Sequence, residues 1–545
     1  MDMEKSAADL IWVTFSASLV FLMQAGFLCL ESGLTRNKNN INVAIKNLTD
    51  FGVSALLFWA IGYGIMFGAS WFGWSGYNHF FVDFGHPAQN LWATTFFLFQ
   101  VMFCGTSVTI VSGAVAERMR FNSYLGIAAL IAGVIYPVFG HWAWSGAEQG
   151  EWLGWLGQRG FVDFAGSSVV HSVGGWVSLA VVLIIGPRTG RFRSGQSGGK
   201  IPGANYPLAI LGTLLLWFGW FGFNGGSTLA LSDQIPRILV NTTLAGAAGL
   251  ISAVFCGWIW HKRADVDWLM YGTLAGLVAI TANCHAVSVR SAIAIGGIGA
   301  ILCIASTFAL EHWHIDDAVG AIPVHLVAGI WGTLAVALFG NPDLLRTGLD
   351  FTAQLRIQVW GIVACGVWTF GLSYLVFTAF NRWLPLRVTV EQEAIGLNIA
   401  EHGATNALLD LFQVMDHQSR TGDLSLRAQV EPFTEVGQIA AHYNQAMSAL
   451  ETAIAKTNAI VNTAQDGIIT FAPSGRIESV NPSAEAIFGY PQAELVGQSI
   501  LNLFNQETLA PEPAIALQTL LTLDVYTEVE GRHANQTPFP MEVIV

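Results

Sequence analysis

The sequence predicts an all-α polytopic membrane protein of eleven transmembrane helices arranged as a 5+5 inverted repeat, followed by a cytoplasmic helical segment and an incomplete α+β domain. Three observations carry this prediction. Of the 545 residues 53% are hydrophobic and only 11% charged, which excludes an ordinary soluble protein. All 20 Trp lie before residue 391, together with 19 basic and 18 acidic residues, whereas the remainder holds 5 basic and 19 acidic residues. The net charge of −13 is therefore +1 before Glu391 and −14 from there on, and the chain divides near 390 into a membrane part and an acidic, soluble part. The third observation is an Asp-x7-His pattern that occurs twice, Asp163 to His171 and Asp317 to His325.

A bilayer core takes about 20 mostly apolar residues per helix. Such stretches fall near 8–31, 50–68, 91–115, 123–144, 163–186, 206–230, 237–260, 266–288, 290–310, 318–340 and 355–386. The first lacks the flanks of a cleavable signal and reads as a retained span. Alternate ends and connections carry 13 Lys and Arg against 6. This bias places the N-terminus outside and the acidic tail in the cytoplasm, with the spans in the cell's inner (plasma) membrane among its lipids. The six Cys are scattered singly, which predicts neither a disulfide framework nor a metal site. No Gly-x-x-x-x-Gly-Lys motif is present, so ATP-driven work is not indicated, no cofactor is expected, and the acidic tail offers nothing to nucleic acid. Glycines such as Gly249 and Gly296 read as close helix packing.

The two Asp-x7-His segments open spans five and ten. A separation of five spans makes equivalent helices antiparallel, the signature of an inverted repeat whose interface lies at the bilayer midplane. Eight residues at about 1.5 Å each put each His about 12 Å inside its Asp. A lone intramembrane His is more often a satisfied core residue, but two at matched positions point to a pathway lining. Asp163, and likewise Asp316 and Asp317, read first as helix caps.

Several stretches occur together and in order: Glu31-Ser-Gly-Leu34 with Arg36 and Lys38, Gly113-Ala-Val-Ala-Glu-Arg118, Tyr136-Pro137 with His141-Trp-Ala-Trp144, Asp163 to His171, Trp220-Phe-Gly-Phe-Asn-Gly-Gly-Ser227, Gly276-Leu-Val-Ala-Ile-Thr281 and Asp316 to His325. With them the first ~400 residues resemble the Amt/Mep/Rh family of ammonium transporters. The resemblance implies eleven spans, a homotrimer with one pore per subunit, and ammonium or ammonia as the transported species. It places substrate binding at Trp144, Phe103 and Ser227, a stacked gate at Phe103 and Phe223, and a pore pair at His171 and His325. The chemistry agrees: a small cation with N–H donors suits aromatic faces and a hydroxyl acceptor. An imidazole pair can exchange a proton near neutral pH, so nitrogen need not cross the apolar pore as a bare ion. Asn283, His285 and Leu326 depart from the family pattern. The first two are expected to add a deeper, inner polar site and the third to narrow the conduit.

The tail divides into a cytoplasmic C-terminal segment (391–406), a helical module (407–456) and a final domain (457–545). Gly396-Leu-Asn-Ile-Ala-Glu-His-Gly403 is similar to the family's cytoplasmic segment, which meets PII-type regulators, with Asn398 and Ala404 replacing acids. Leu408, Leu409, Leu411, Phe412 and Met415, a connector near Gly422, and Glu435-Val-Gly437 followed by Ile439, Tyr443, Met447, Leu450 and Ile454 step by three and four, as in an amphipathic helix pair. This arrangement resembles a HAMP relay module. Strands at Ile468–Phe471 and Arg476–Val480, a turn at Ser474-Gly475 and the run Asn481 to Tyr490 resemble a PAS domain, read as incomplete because Val545 falls in an expected strand. Two readings follow, an ammonium transporter with a regulatory tail and an ammonium receptor signalling to an output domain that lies beyond Val545. In both the chain is not itself an enzyme.

Overall fold

In the computed structural model the described residues are 5–85, 90–192, 199–404, 407–505, 515, 518, 521–522 and 526–545. Contacts divide the chain between Thr405 and Asn406.

Among the described residues ten helices are long and apolar enough to cross a membrane: α1 (Ala7–Leu34), α2 (Asn40–Phe67), α3 (Leu91–Ala114), α4 (Phe121–Trp144), α5 (Ser167–Ile185), α6 (Tyr206–Gly226), α7 (Ile235–Trp260), α9 (Val289–His312), α10 (Ile322–Phe339) and α11 (Phe351–Asn381). The expected eighth span forms a shorter helix, α8 (Val266–Thr281). It starts where the Asp265 side chain accepts from Trp268 N. It stops at Thr281 because the next chain segment is taken by tertiary bonds: Phe164 N and Ala165 N donate to the carbonyls of Ala282 and Thr281, and Ala282 N donates to Ser167 Oγ. Outward apolar side chains such as Leu48, Val367 and Leu375 are about 70% exposed, as a lipid-facing surface requires.

Close helix contact rests on small residues. A Cβ at Gly212 of α6 would lie 2.3 Å from Leu30 N of α1, one at Gly249 of α7 would lie 2.1 Å from Gly272 O of α8, and one at Gly296 of α9 would lie 2.1 Å from Ala245 O. The helices that begin the two halves, α1 and α6, thus pack directly on each other.

The inverted repeat is visible in α5 and α10. Asp163 Oδ1 accepts from Gly166 N and Ser167 N, and its Oδ2 from Ser168 N and Val169 N, at 2.8–3.0 Å. Asp317 Oδ1 accepts from Val319 N and Gly320 N, and its Oδ2 from Ile322 N. Each Asp is followed three residues later by a glycine at positive φ, Gly166 at 114° and Gly320 at 75°, a conformation that costs an L side chain steric strain. Each glycine leads into a π-helical turn, Ser167–Ser172 or Ile322–Val327, that holds the His. Such turns re-aim side chains at functional sites.

Asp316 does not cap α10. Its carboxylate is bidentate to Arg188, with Oδ2 2.8 Å from Nε and Oδ1 2.9 Å from Nη2, because the Asp317 side chain already fills the helix N-terminus. Arg188 reaches Glu117 at 3.3 Å, and Glu117 in turn pairs with Arg36. Burial alone would raise both carboxyls, but Arg188 holds Asp316 well below the usual carboxylate range, and Arg188 with Arg36 lowers Glu117. This network ties α1, α3, α5 and α10 at the end of the bundle where the Lys- and Arg-rich connections gather.

The C-terminal segment folds onto the same end as α12 (Val390–Ile395) and α13 (Leu397–His402). Asn398 Oδ1 accepts from Asn42 N in the first turn of α2, while its Nδ2 donates to Asn37 O and Asn40 Oδ1. An Asp at this position would have no donor for the last two of these bonds. Leu397 N donates to Asn39 Oδ1, and His402 Nε2 lies 2.9 Å from Asn42 Nδ2.

The second unit begins with α14 (Ala407–Thr421) and α15 (Glu435–Thr463); Thr405 and Asn406, where the sequence reading ends the C-terminal segment, lie outside the described residues. Leu411, Ala428 and Ala440 form a small core between the two helices and their connector, with Val414, Val436 and Tyr443 against it. The Thr434 side chain caps α15 by accepting from Gly437 N. Then β1 (Ile469–Phe471) pairs antiparallel with β2 (Ile477–Val480), followed by α16 (Pro482–Phe488), α17 (Gln492–Leu495) and an antiparallel hairpin of β3 (Thr527–Arg532) and β4 (Pro538–Val543). Ile477, Ala484, Phe488, Ile500 and Leu503 form its core.

Candidate functional site: an aromatic and histidine stack through the bundle

The sequence-predicted side chains meet along one line. Phe103 of α3 faces Phe223 of α6 with ring centroids 4.1 Å apart and planes 25° from parallel. Trp144, at the end of α4, sits edge-on to Phe103 at 6.1 Å. Its Nε1 donates to the backbone carbonyl of Asp163 at 2.6 Å, so the Asp that caps α5 also fixes the indole. Ser227 lies one turn beyond Phe223 and its hydroxyl donates to the Phe223 carbonyl at 2.8 Å. That leaves the oxygen's lone pairs as acceptors, and Ser227 joins the site through Phe223.

Beyond the phenylalanines His171 stacks on Phe223 at 5.4 Å and on His325 at 5.2 Å. The His171 and His325 Nδ1 atoms are 3.1 Å apart, a hydrogen bond in which one ring carries the proton and the other offers a lone pair. Both rings are buried, and His171 Nε2 has no hydrogen-bond partner among the described residues. Phe27 follows at 6.0 Å from His325. The order is therefore Trp144, Phe103, Phe223, His171, His325, with the capped ends of α5 and α10 on opposite sides of the histidines.

Asn283 and His285 do not form a deeper, inner site. They follow the end of α8, on the segment that bonds to Phe164 and Ala165, and so lie level with Trp144. Asn283 Nδ2 is spent on the carbonyls of Ala279 and Gly332, and the His285 ring stacks on Phe164 at 4.2 Å. Leu326 packs against Gly175, where an added Cβ would lie 2.7 Å from the Leu326 Cβ. Sequence reasoning assigned no role to Trp220, which stacks on His171 at 5.2 Å and donates to Thr281 Oγ1. Its position three residues before Phe223, on the same helix face, was the available signal. Phe27 and Arg188 gave no such signal. Among the described residues no group of three or more His, Cys, Asp or Glu side chains could hold a metal ion.

Comparison with known proteins identifies the family. The Ammonium Transporter Family model matches residues 11–407 and the PAS fold model matches residues 455–543. The Synechocystis sp. protein sll0537, which carries an ammonium-transporter name, is 49% identical over 88% of this chain and 89% of its own length. Ammonium transporter Amt2 of Archaeoglobus fulgidus is 40% identical over 73% of this chain and 87% of its own. A solved structure titled Sensor Amt Protein superposes with a TM-score of 0.71 at 43% identity, covering 74% of this chain and all of that one. With its inverted repeat, its membrane helices and these matches, the chain belongs to the ammonium transporter family and carries a PAS domain behind the membrane part.

Proposed function

We propose that the chain passes ammonium across the cell's plasma membrane and couples its occupancy to the cytoplasmic tail. The observation that carries this reading is the continuous stack from Trp144 to His325 at the interface of the two halves. Ammonium is drawn to the faces of Trp144 and Phe103 and accepted by Ser227, each cation–π contact contributing about 0.5–2 kcal/mol. That is enough to recruit the ion and weak enough to release it. The Phe103–Phe223 stack excludes a hydrated ion, so the nitrogen proceeds without its water shell. A bare charge at mid-bilayer costs at least several kcal/mol, on the order of 3 or more. The histidine pair relieves this cost: the Nδ1–Nδ1 bond can shift its proton between rings, and His171 Nε2, which no described residue hydrogen-bonds, can exchange one with the passing molecule. Asp163 holds the mouth by capping α5 and anchoring Trp144.

The N-terminus is read as external and the basic end of the bundle as cytoplasmic. The subunits form a trimer in this reading, and the segment of Asn398 and His402 is the face for a PII-type regulator. The helix pair α14 and α15 relays the state of the pore, as a HAMP module does, towards the PAS domain. A second reading, a receptor with little flux, is favoured by the likeness to a structure titled Sensor Amt Protein. Currents evoked by ammonium in reconstituted proteoliposomes separate the two. Absence of current combined with stabilisation by ammonium against heating would leave the receptor alone standing.

A further inference from the structure

Beyond His325 lies a narrow space. A vestibule of about 10 Å³, bounded by Phe27, Glu31, Leu274 and His325, has room for about one water-sized molecule. On its far side lies a cavity of about 220 Å³, with Arg188, Lys200, His261 and Asp267 among its walls. Tyr271 of α8 and Gly320 line both spaces, so they form the wall between them. The Tyr271 ring lies flat against the Gly320 backbone: a Cβ there would be 2.5 Å from Cζ and 2.8 Å from both Cε atoms. Gly320 therefore serves two ends, the left-handed turn after Asp317 and the seat for this ring. Tyr271 is only 9% exposed, yet no described residue hydrogen-bonds its hydroxyl. The residue borders the space that a molecule leaving the histidines must enter.

We propose that Tyr271 is the inner gate of the pore. Its ring closes the vestibule from the wide cavity, its hydroxyl offers a hydrogen bond to the molecule waiting there, and passage requires the ring to leave Gly320. This inference rests on the pore reading above and sets where that pore stands between holding ammonium and conducting it. The ring in place retains what reaches His325, and the ring displaced lets it go.

The test measures ammonium-evoked current in proteoliposomes together with the ammonium concentration that half-saturates thermal stabilisation, for the wild type, Tyr271→Ala, Tyr271→Leu and Tyr271→Phe. Removing the ring is expected to raise current at least about fivefold, while Tyr271→Phe, which keeps it, stays within about twofold of wild type. Half-saturation stays within about twofold in all four, because the outer aromatic site is untouched. A silent wild type beside a conducting Tyr271→Ala supports the gate and defeats the transport reading for the native chain. Unchanged or lower current in Tyr271→Ala with binding intact overturns the gate. If the Ala variant does not fold, the Leu variant decides by the same criterion.

Discussion

Replacing Asp163 by Asn tests how the mouth of the pore is held. The carboxylate accepts four backbone N–H groups, two on each oxygen. An Asn keeps one oxygen for Gly166 and Ser167 and turns an NH₂ towards Ser168 N and Val169 N, leaving two buried donors without acceptors. Each orphaned donor costs about 1–3 kcal/mol, so the loss is about 2–6 kcal/mol. The equivalent Asp317→Asn keeps the pair at Val319 and Gly320 and orphans only Ile322 N, a loss of about 1–3 kcal/mol. Thermal unfolding of the purified protein, followed by size-exclusion fluorescence, should therefore rank wild type above Asp317→Asn above Asp163→Asn. Because Trp144 is anchored on the Asp163 carbonyl, ammonium stabilisation should weaken in Asp163→Asn and persist in Asp317→Asn. Equal midpoints for wild type and Asp163→Asn would refute the capping role, and a reversed order would refute the arithmetic.

Arg188→Gln leaves the Asp316 carboxylate buried without its bidentate partner and is expected to cost about 3–5 kcal/mol in the same assay. The values of Asp316 and Glu117 are lowered by folding, so their stabilisation is present above the ordinary carboxylate range, about 4, and is lost as pH falls below it. Wild-type midpoints should fall on acidification, and Arg188→Gln should flatten that fall. Burial holds the His402 imidazole below its ordinary value, so its share of docking is present above about pH 6.5 and is lost as pH falls through it. Protonation also removes the ring lone pair that accepts from Asn42, and the hydrogen-exchange protection of residues 397–403, taken relative to the intrinsic rate at each pH, should be lower at about pH 5.5 than at about pH 7.5. Asn398→Asp removes the two bonds donated to Asn37 and Asn40, at about 1 kcal/mol each, and should quicken exchange there at both pH values.

The spans, the paired histidines and the aromatic residues were legible because their signals are local or ordered: apolar runs of bilayer length, Asp-x7-His at matched positions, and motifs in sequence. Asp316 was misread as a cap because its true partner, Arg188, stands 128 residues away and had counted only as a topogenic charge. Asn283 and His285 were placed too deep because the end of α8 is set by bonds from Phe164, Ala165 and Ser167, which no helix propensity encodes. Tyr271 and Phe27 were invisible among 65 aromatic residues, since a helix that is apolar all round does not mark which side faces a pore. In the tail the alternating strands and the Ser474-Gly475 turn were readable, whereas β3 lies past residues whose pattern carries no such alternation.

The most direct test of the account is the ammonium-evoked current of the reconstituted wild type compared with Trp144→Leu and His325→Asp. The account predicts a saturable current that both substitutions abolish, the first by removing recruitment and the second by breaking the shared Nδ1 bond at the centre of the stack. A wild-type current that survives both would place the conducting path elsewhere and contradict it.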